Sequence, residues 1–126
     1  MSLRTDLGKV RGLGSAKEGA AHWWAQRVTA VALVPLLLWL VASLAAHAGA
    51  DAAAVRAWIA QPVTAVLLVL MIGVTFHHAQ LGLQVVIEDY VHTECVKIAG
   101  VMLVKFAAVA LAAAGIFSVL KIALAG

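Results

Sequence analysis

The chain has 126 residues, of which 64% are hydrophobic and only 12% are charged, with a formal net charge of +3. A soluble domain carries about 45–50% apolar and about 25% charged residues, so this balance argues against a soluble globular domain and excludes a disordered chain. Cys95 is the single cysteine, which rules out an intrachain disulfide framework, and five of the nine Lys/Arg lie in the first 27 residues, an end effect with no nucleic-acid groove in it. What remains is a small, all-α, multi-pass membrane protein.

Residues 1–27 are the polar lead-in. Arg4, Lys9, Arg11, Lys17 and Arg27 stand among Gly8, Gly12, Gly14 and Gly19. This composition predicts a mobile segment with one short helical turn near 15–21. Trp23 and Trp24 mark a water–lipid boundary, where indole rings prefer to sit.

Residues 28–46 form an uncharged run of 19, about 28 Å long as a helix and close to the hydrocarbon thickness of a bilayer. Pro35 within it is tolerated in a membrane helix, with a kink. A cleaved signal peptide competes for this run, because Ala46-His47-Ala48 has an A-x-A look. A signal h-region is only about 7–15 residues, however, and the acids Asp6 and Glu18 upstream do not suit its n-region.

The next stretch holds Asp51, Arg56 and Trp58, and its segment 48–57 predicts a short interfacial helix. A second spanning helix is expected over 63–87, with Pro62 just before it, where a missing N–H does no harm. A third is expected over 97–123, with Lys105 snorkelling toward the polar boundary. The basic tail places the N-terminus in the cytoplasm, the first loop outside, the second loop inside and the C-terminus in the periplasm. The organisation is then a cytoplasmic segment, 1–27, and a three-helix membrane anchor, 28–126. So few helices enclose little volume. The run Ala112-Ala113-Ala114-Gly115 favours close helix packing, and a further membrane subunit is expected to complete the structure.

The second spanning helix carries the chemistry. It holds His77, His78, Gln80 and Gln84 and ends in Glu88-Asp89-Tyr90, and polar groups at membrane depth are functional candidates by default. At about 100° per residue, His78 shares a face with Met71, Val74, Gly82, Val85 and Asp89, while His77 lies about 100° away. The His78 face suits a haem: an imidazole for an axial bond, apolar walls, and a glycine that leaves room for a flat macrocycle. A packing or hydrogen-bonding role is the plainer account of both histidines, and interhelical hydrogen bonds are the plainer account of Gln80 and Gln84. Asp89 and Tyr90, just past the helix end, are either interface anchors or a site where a hydroxyl donates to a quinone carbonyl beside a proton-relaying carboxylate. Arg27 is either a positive-inside anchor or a bidentate partner for a haem propionate, with His22 near it.

The stretch His78-Ala79-Gln80-Leu81-Gly82 followed by Asp89-Tyr90, with the opening His22-Trp23-Trp24-Ala25-Gln26-Arg27-Val28-Thr29-Ala30, resembles the small hydrophobic anchor subunit of succinate dehydrogenase, respiratory complex II. The resemblance covers nearly the whole chain. It implies a b-type haem (haem b) shared with a second three-helix, cytochrome b556-like anchor, with His78 as the iron's axial ligand and Arg27 at a propionate. It implies Tyr90 and Asp89 at a ubiquinone headgroup, and docking to an iron–sulfur subunit and a flavoprotein subunit at the bacterial inner membrane. The tandem His77-His78 leaves a one-residue slip in the ligand, although the spacing to Asp89-Tyr90 favours His78. Two rivals stand beside this reading: a fumarate reductase-type anchor, and a non-redox assembly or transport subunit.

Overall fold

A computed structural model describes residues 5–12 and 19–125, and the expected turn near 15–21 falls largely outside them. In chain order the helices are α1 (Asp6–Val10), α2 (Gly19–Ala46), α3 (Ala52–Ala60), α4 (Pro62–Tyr90) and α5 (Glu94–Leu124). Helices α2, α4 and α5 have 28, 29 and 31 residues and are long and apolar enough to cross a membrane. At about 1.5 Å per residue each exceeds the roughly 30 Å hydrocarbon layer, so their ends reach into the interfacial zones.

Local chemistry sets the joints. Gly49 adopts φ +83°, a left-handed conformation open to glycine, in the turn that closes α2. Asp51 then caps α3, its Oδ1 accepting from the Ala54 N–H at 2.8 Å. Pro62 keeps Gln61 extended, at φ −63° and ψ 132°, so Gln61 ends α3 and opens α4 without a longer loop. Val91, His92 and Thr93 alone join α4 to α5. In the polar lead-in, α1 is a short helix where the composition predicted a mobile segment. Thr5 Oγ1 accepts from the Gly8 N–H at 3.1 Å at its start.

Helix α4 is central. It packs on α2 along one side and on α5 along the other, whereas α2 and α5 do not meet; α3 fills the end between α4 and α5. The three long helices therefore form an open layer. The close α4–α5 approach passes through Gly115, where a β-carbon would lie 3.2 Å from Ile72 Cγ2. Among the described residues few are buried: Ala65, Met71, Leu81 and Val119 among the apolar ones, with Thr29 and Thr64. Val31, Leu38, Leu103, Phe106, Val109 and Phe117 stay exposed. A surface this apolar is compatible with lipid and partner helices, and not with water.

The two ends of the layer differ. At one end Trp23 and Trp24 meet edge to face, with ring centroids 5.0 Å apart. At the other, Trp39 stacks on Trp58 at 6.2 Å and His47 lies 4.8 Å from the same indole. Aromatic groups at both ends mark the two interfaces of a spanning protein.

Candidate haem and quinone site

The seam between α2 and α4 holds the best-defined polar contact at membrane depth. Thr29 of α2 is buried, and its Oγ1 lies 2.8 Å from His78 Nδ1 on α4. The same hydroxyl lies 2.7 Å from the Ala25 carbonyl oxygen and 3.1 Å from that of Gln26. One turn further along each helix, the Gln26 amide covers Gly82, with Nε2 3.6 Å from the position of a β-carbon. The face that carries His78 and Gly82 is thus turned at least partly toward α2. The space beside Gly82, expected from the sequence to receive a macrocycle, is bordered by Gln26.

Around this contact the chain leaves polar atoms unmet. Gln26 Oε1, one turn of α2 from Thr29, and Thr75 Oγ1, three residues before His78 on α4, are buried without a hydrogen-bond partner among the described residues, as is His22 Nε2. Leaving such an atom unpaired costs about 1–3 kcal/mol, so these three atoms are candidates for bonding a group that the described residues do not supply.

His77 has a different setting. It is exposed, and it lines a cavity of about 490 Å³ with Gln80 and Gln84 of α4, Lys105 of α5 and His22 of α2. Gln80 and Gln84 do not bond across helices as expected. Gln80 Nε2 donates to Gln84 Oε1 at 3.3 Å and Gln84 Nε2 donates to Glu88 Oε1 at 2.8 Å, a ladder along α4. Side chains at i and i+4 on a helix are neighbours, so they can satisfy one another.

Asp89 and Tyr90 are the last two residues of α4 itself, not residues beyond its end, and both are exposed. Arg27 is also exposed, its guanidinium 4.9 Å from the Trp23 ring centroid. It is two residues from Thr29, hence about 160° around α2 from the side that meets His78. Among the described residues, no hydrogen bond or ion pair joins Arg27, His78, Asp89 and Tyr90 to one another; α2 and α4 bring only His78 into a bonded pair. Thr29 and Gln26 were missed in the sequence because each looks like an ordinary residue at the start of an apolar helix.

Three spanning helices in an open layer, with one histidine at membrane depth tied to a neighbouring helix, define a multi-pass membrane subunit that is built to be completed by others. The chain matches the succinate dehydrogenase/fumarate reductase transmembrane subunit family over residues 1–114, and it belongs to that family. Membership places it among the membrane subunits of an oxidoreductase complex. It is 34% identical over 102 residues to the succinate dehydrogenase hydrophobic membrane anchor subunit of Rickettsia bellii, covering 81% of this chain and 80% of that one. The corresponding subunit of Paracoccus denitrificans is 35% identical over 81 residues, covering 64% of this chain and 63% of its own. The succinate dehydrogenase membrane anchor subunit of Reclinomonas americana is 28% identical over 96 residues, covering 74% and 80%. No solved structure matches the chain significantly.

Proposed function

We propose that this chain is the hydrophobic anchor of a succinate:ubiquinone oxidoreductase of the bacterial inner membrane. It holds the flavoprotein and iron–sulfur subunits at the membrane, pairs with a second three-helix anchor, and supplies half of a haem b site and part of a quinone-reduction site. The three relatives are all named for succinate dehydrogenase, which favours succinate oxidation over fumarate reduction.

The observation that carries the haem reading is the asymmetry of the two histidines. Among the described residues His78 is bonded through Nδ1, to Thr29, which leaves Nε2 for an axial bond. Metal-ligating histidines characteristically have their second nitrogen hydrogen-bonded in this way. His77 has no ring hydrogen bond among the described residues and borders an open cavity. The residues fit the group in their chemistry: an oriented imidazole, and unmet buried polar atoms on Gln26 and Thr75. A bound haem b would supply one-electron storage between the soluble subunits and quinone. In this reading the exposed Arg27 guanidinium holds a propionate, Tyr90 donates its hydroxyl to a quinone carbonyl, and Asp89 holds or passes a proton beside it.

The test is the dithionite-reduced visible spectrum of membranes carrying the assembled complex. His78→Ala should lose or alter the b-type band, and His77→Ala should largely keep it. Equal loss in both, or the reverse order, would overturn the assignment of His78.

A further inference from the structure

We infer that Thr29 is a positioning residue for His78: its hydroxyl fixes which nitrogen of the imidazole carries the proton and how strongly the other nitrogen donates to a metal. This rests on the proposed haem role of His78.

The supply of protons sets the direction of the bond. A threonine hydroxyl has one hydrogen and two lone pairs. Oγ1 of Thr29 lies 2.7 Å from the Ala25 carbonyl oxygen and 3.1 Å from the Gln26 carbonyl oxygen. Carbonyl oxygens only accept, so the one hydroxyl hydrogen is shared between them, with Ala25 the closer. The contact of 2.8 Å to His78 Nδ1 must then draw its hydrogen from the ring: Nδ1–H donates and Oγ1 accepts. In a neutral imidazole the other nitrogen, Nε2, consequently carries the lone pair, which is the form that binds a metal. The opposite arrangement would turn the hydroxyl hydrogen to Nδ1 and leave Oγ1 and the Ala25 oxygen, 2.7 Å apart, with no hydrogen between them.

Burial gives this bond its force. Thr29 is only 8% exposed, so its hydroxyl acceptor is largely screened from water. The back-bond to α2 and the β-branched side chain also hold Oγ1 in place, so the acceptor is set before any ligand arrives. An acceptor on Nδ1–H makes Nε2 more basic, and a more basic axial ligand favours the oxidised metal. Thr29 therefore tunes a redox potential, beyond joining two helices.

The experiment is a redox titration of haem absorbance, with electron paramagnetic resonance of the oxidised form, on the assembled complex in native membranes. Thr29→Val keeps the shape and removes the hydroxyl. It should shift the midpoint potential to more positive values and change the low-spin resonance. Thr29→Ser keeps the hydroxyl and should restore values close to those of the unaltered protein. Thr29→Ala adds no bulk and reads the same shift should the valine variant not assemble. A helix tether with no influence on the imidazole would lower assembly and leave the potential of the assembled fraction unmoved, and that result overturns the inference. His78→Ala is the control that separates the two levels. If it leaves the haem signals intact, the ligand assignment itself fails; if it abolishes them while the Thr29 variants match the unaltered protein, only the role of Thr29 fails.

Discussion

Gln26 of α2 lays its side-chain amide over Gly82 of α4, with Nε2 3.6 Å from where a β-carbon would stand. The glycine on the histidine face thus admits a neighbour from within the same chain. This is an ordinary contact distance, and it determines what substitutions at Gly82 should do.

Gly82→Ala should be tolerated, with complex abundance and haem band near normal, because a methyl group fits at that distance. Gly82→Leu should displace Gln26 and strain the seam that holds Thr29 against His78, at a cost typical of overpacking, about 1–3 kcal/mol. The reduced-minus-oxidised spectrum, normalised to anchor protein by immunoblot, reads both. If alanine is as damaging as leucine, the glycine serves a tighter requirement than Gln26 imposes.

Gly115 sets the spacing of the other seam. A β-carbon there would sit 3.2 Å from Ile72 Cγ2, closer than side chains normally approach, and 3.4 Å from Cδ1, an ordinary contact. Gly115→Ala should lower the thermal stability of the detergent-solubilised complex, and by less in an Ile72→Ala background, since alanine removes both Cγ2 and Cδ1. Gly115→Leu should prevent normal α4–α5 packing and reduce assembly. Additive losses in the Gly115→Ala, Ile72→Ala pair would show that the two residues do not share a contact.

The three spans were legible because uncharged runs of this length have few uses outside a bilayer. Their ends were not. Hydropathy reports where lipid is tolerated, whereas a helix continues as long as its backbone bonds do. Helix α2 therefore starts at Gly19 and not at 28, running back through the tryptophan pair, and α4 continues through Glu88, Asp89 and Tyr90. The interfacial helix is shifted from 48–57 to Ala52–Ala60 because Gly49 takes a left-handed turn and Asp51 caps the helix from its new start. His78 could be singled out by its face, but Thr29 could not. Its partner is 49 residues away, and periodicity within one helix carries no information about which turn of another helix lies opposite. The Gln80, Gln84, Glu88 spacing was visible, but whether it bonds along α4 or across to a neighbour depends on what stands opposite.

The orientation in the membrane is open to a direct test. Gly19 and Glu88 line one cavity, and Glu88, Glu94 and Lys97 line another, so the start of α2, the end of α4 and the start of α5 lie together. Arg27 stands near this end and four more basic residues precede it in the sequence, so the positive-inside rule predicts a cytoplasmic location for this end. Reporter fusions near Glu94 should be active as cytoplasmic reporters, and fusions after Gly126 as periplasmic ones. The opposite pattern would place Tyr90 away from the soluble subunits.

That arrangement gives Tyr90 its most demanding test. His78 and Tyr90 stand on one unbroken helix, and twelve residues at about 1.5 Å each separate them by roughly 18 Å along its axis. Asp89 returns to within about 20° of the His78 face, and Tyr90 lies about 120° from it. Tyr90 is therefore too distant to touch a group bound at His78. With 77% of its surface exposed, it is placed to meet a headgroup at the membrane boundary. Tyr90→Phe keeps the ring and removes only the hydroxyl. Loss of a hydrogen bond to a quinone carbonyl should cost about 0.5–1.5 kcal/mol, roughly a two- to twelvefold fall in quinone reductase activity. Assembly, haem content and succinate oxidation with a soluble artificial acceptor should persist, because none of them uses that hydroxyl. Unchanged quinone reduction in Tyr90→Phe would leave Tyr90 as a boundary anchor only, and the quinone assignment at this end of α4 would fall with it.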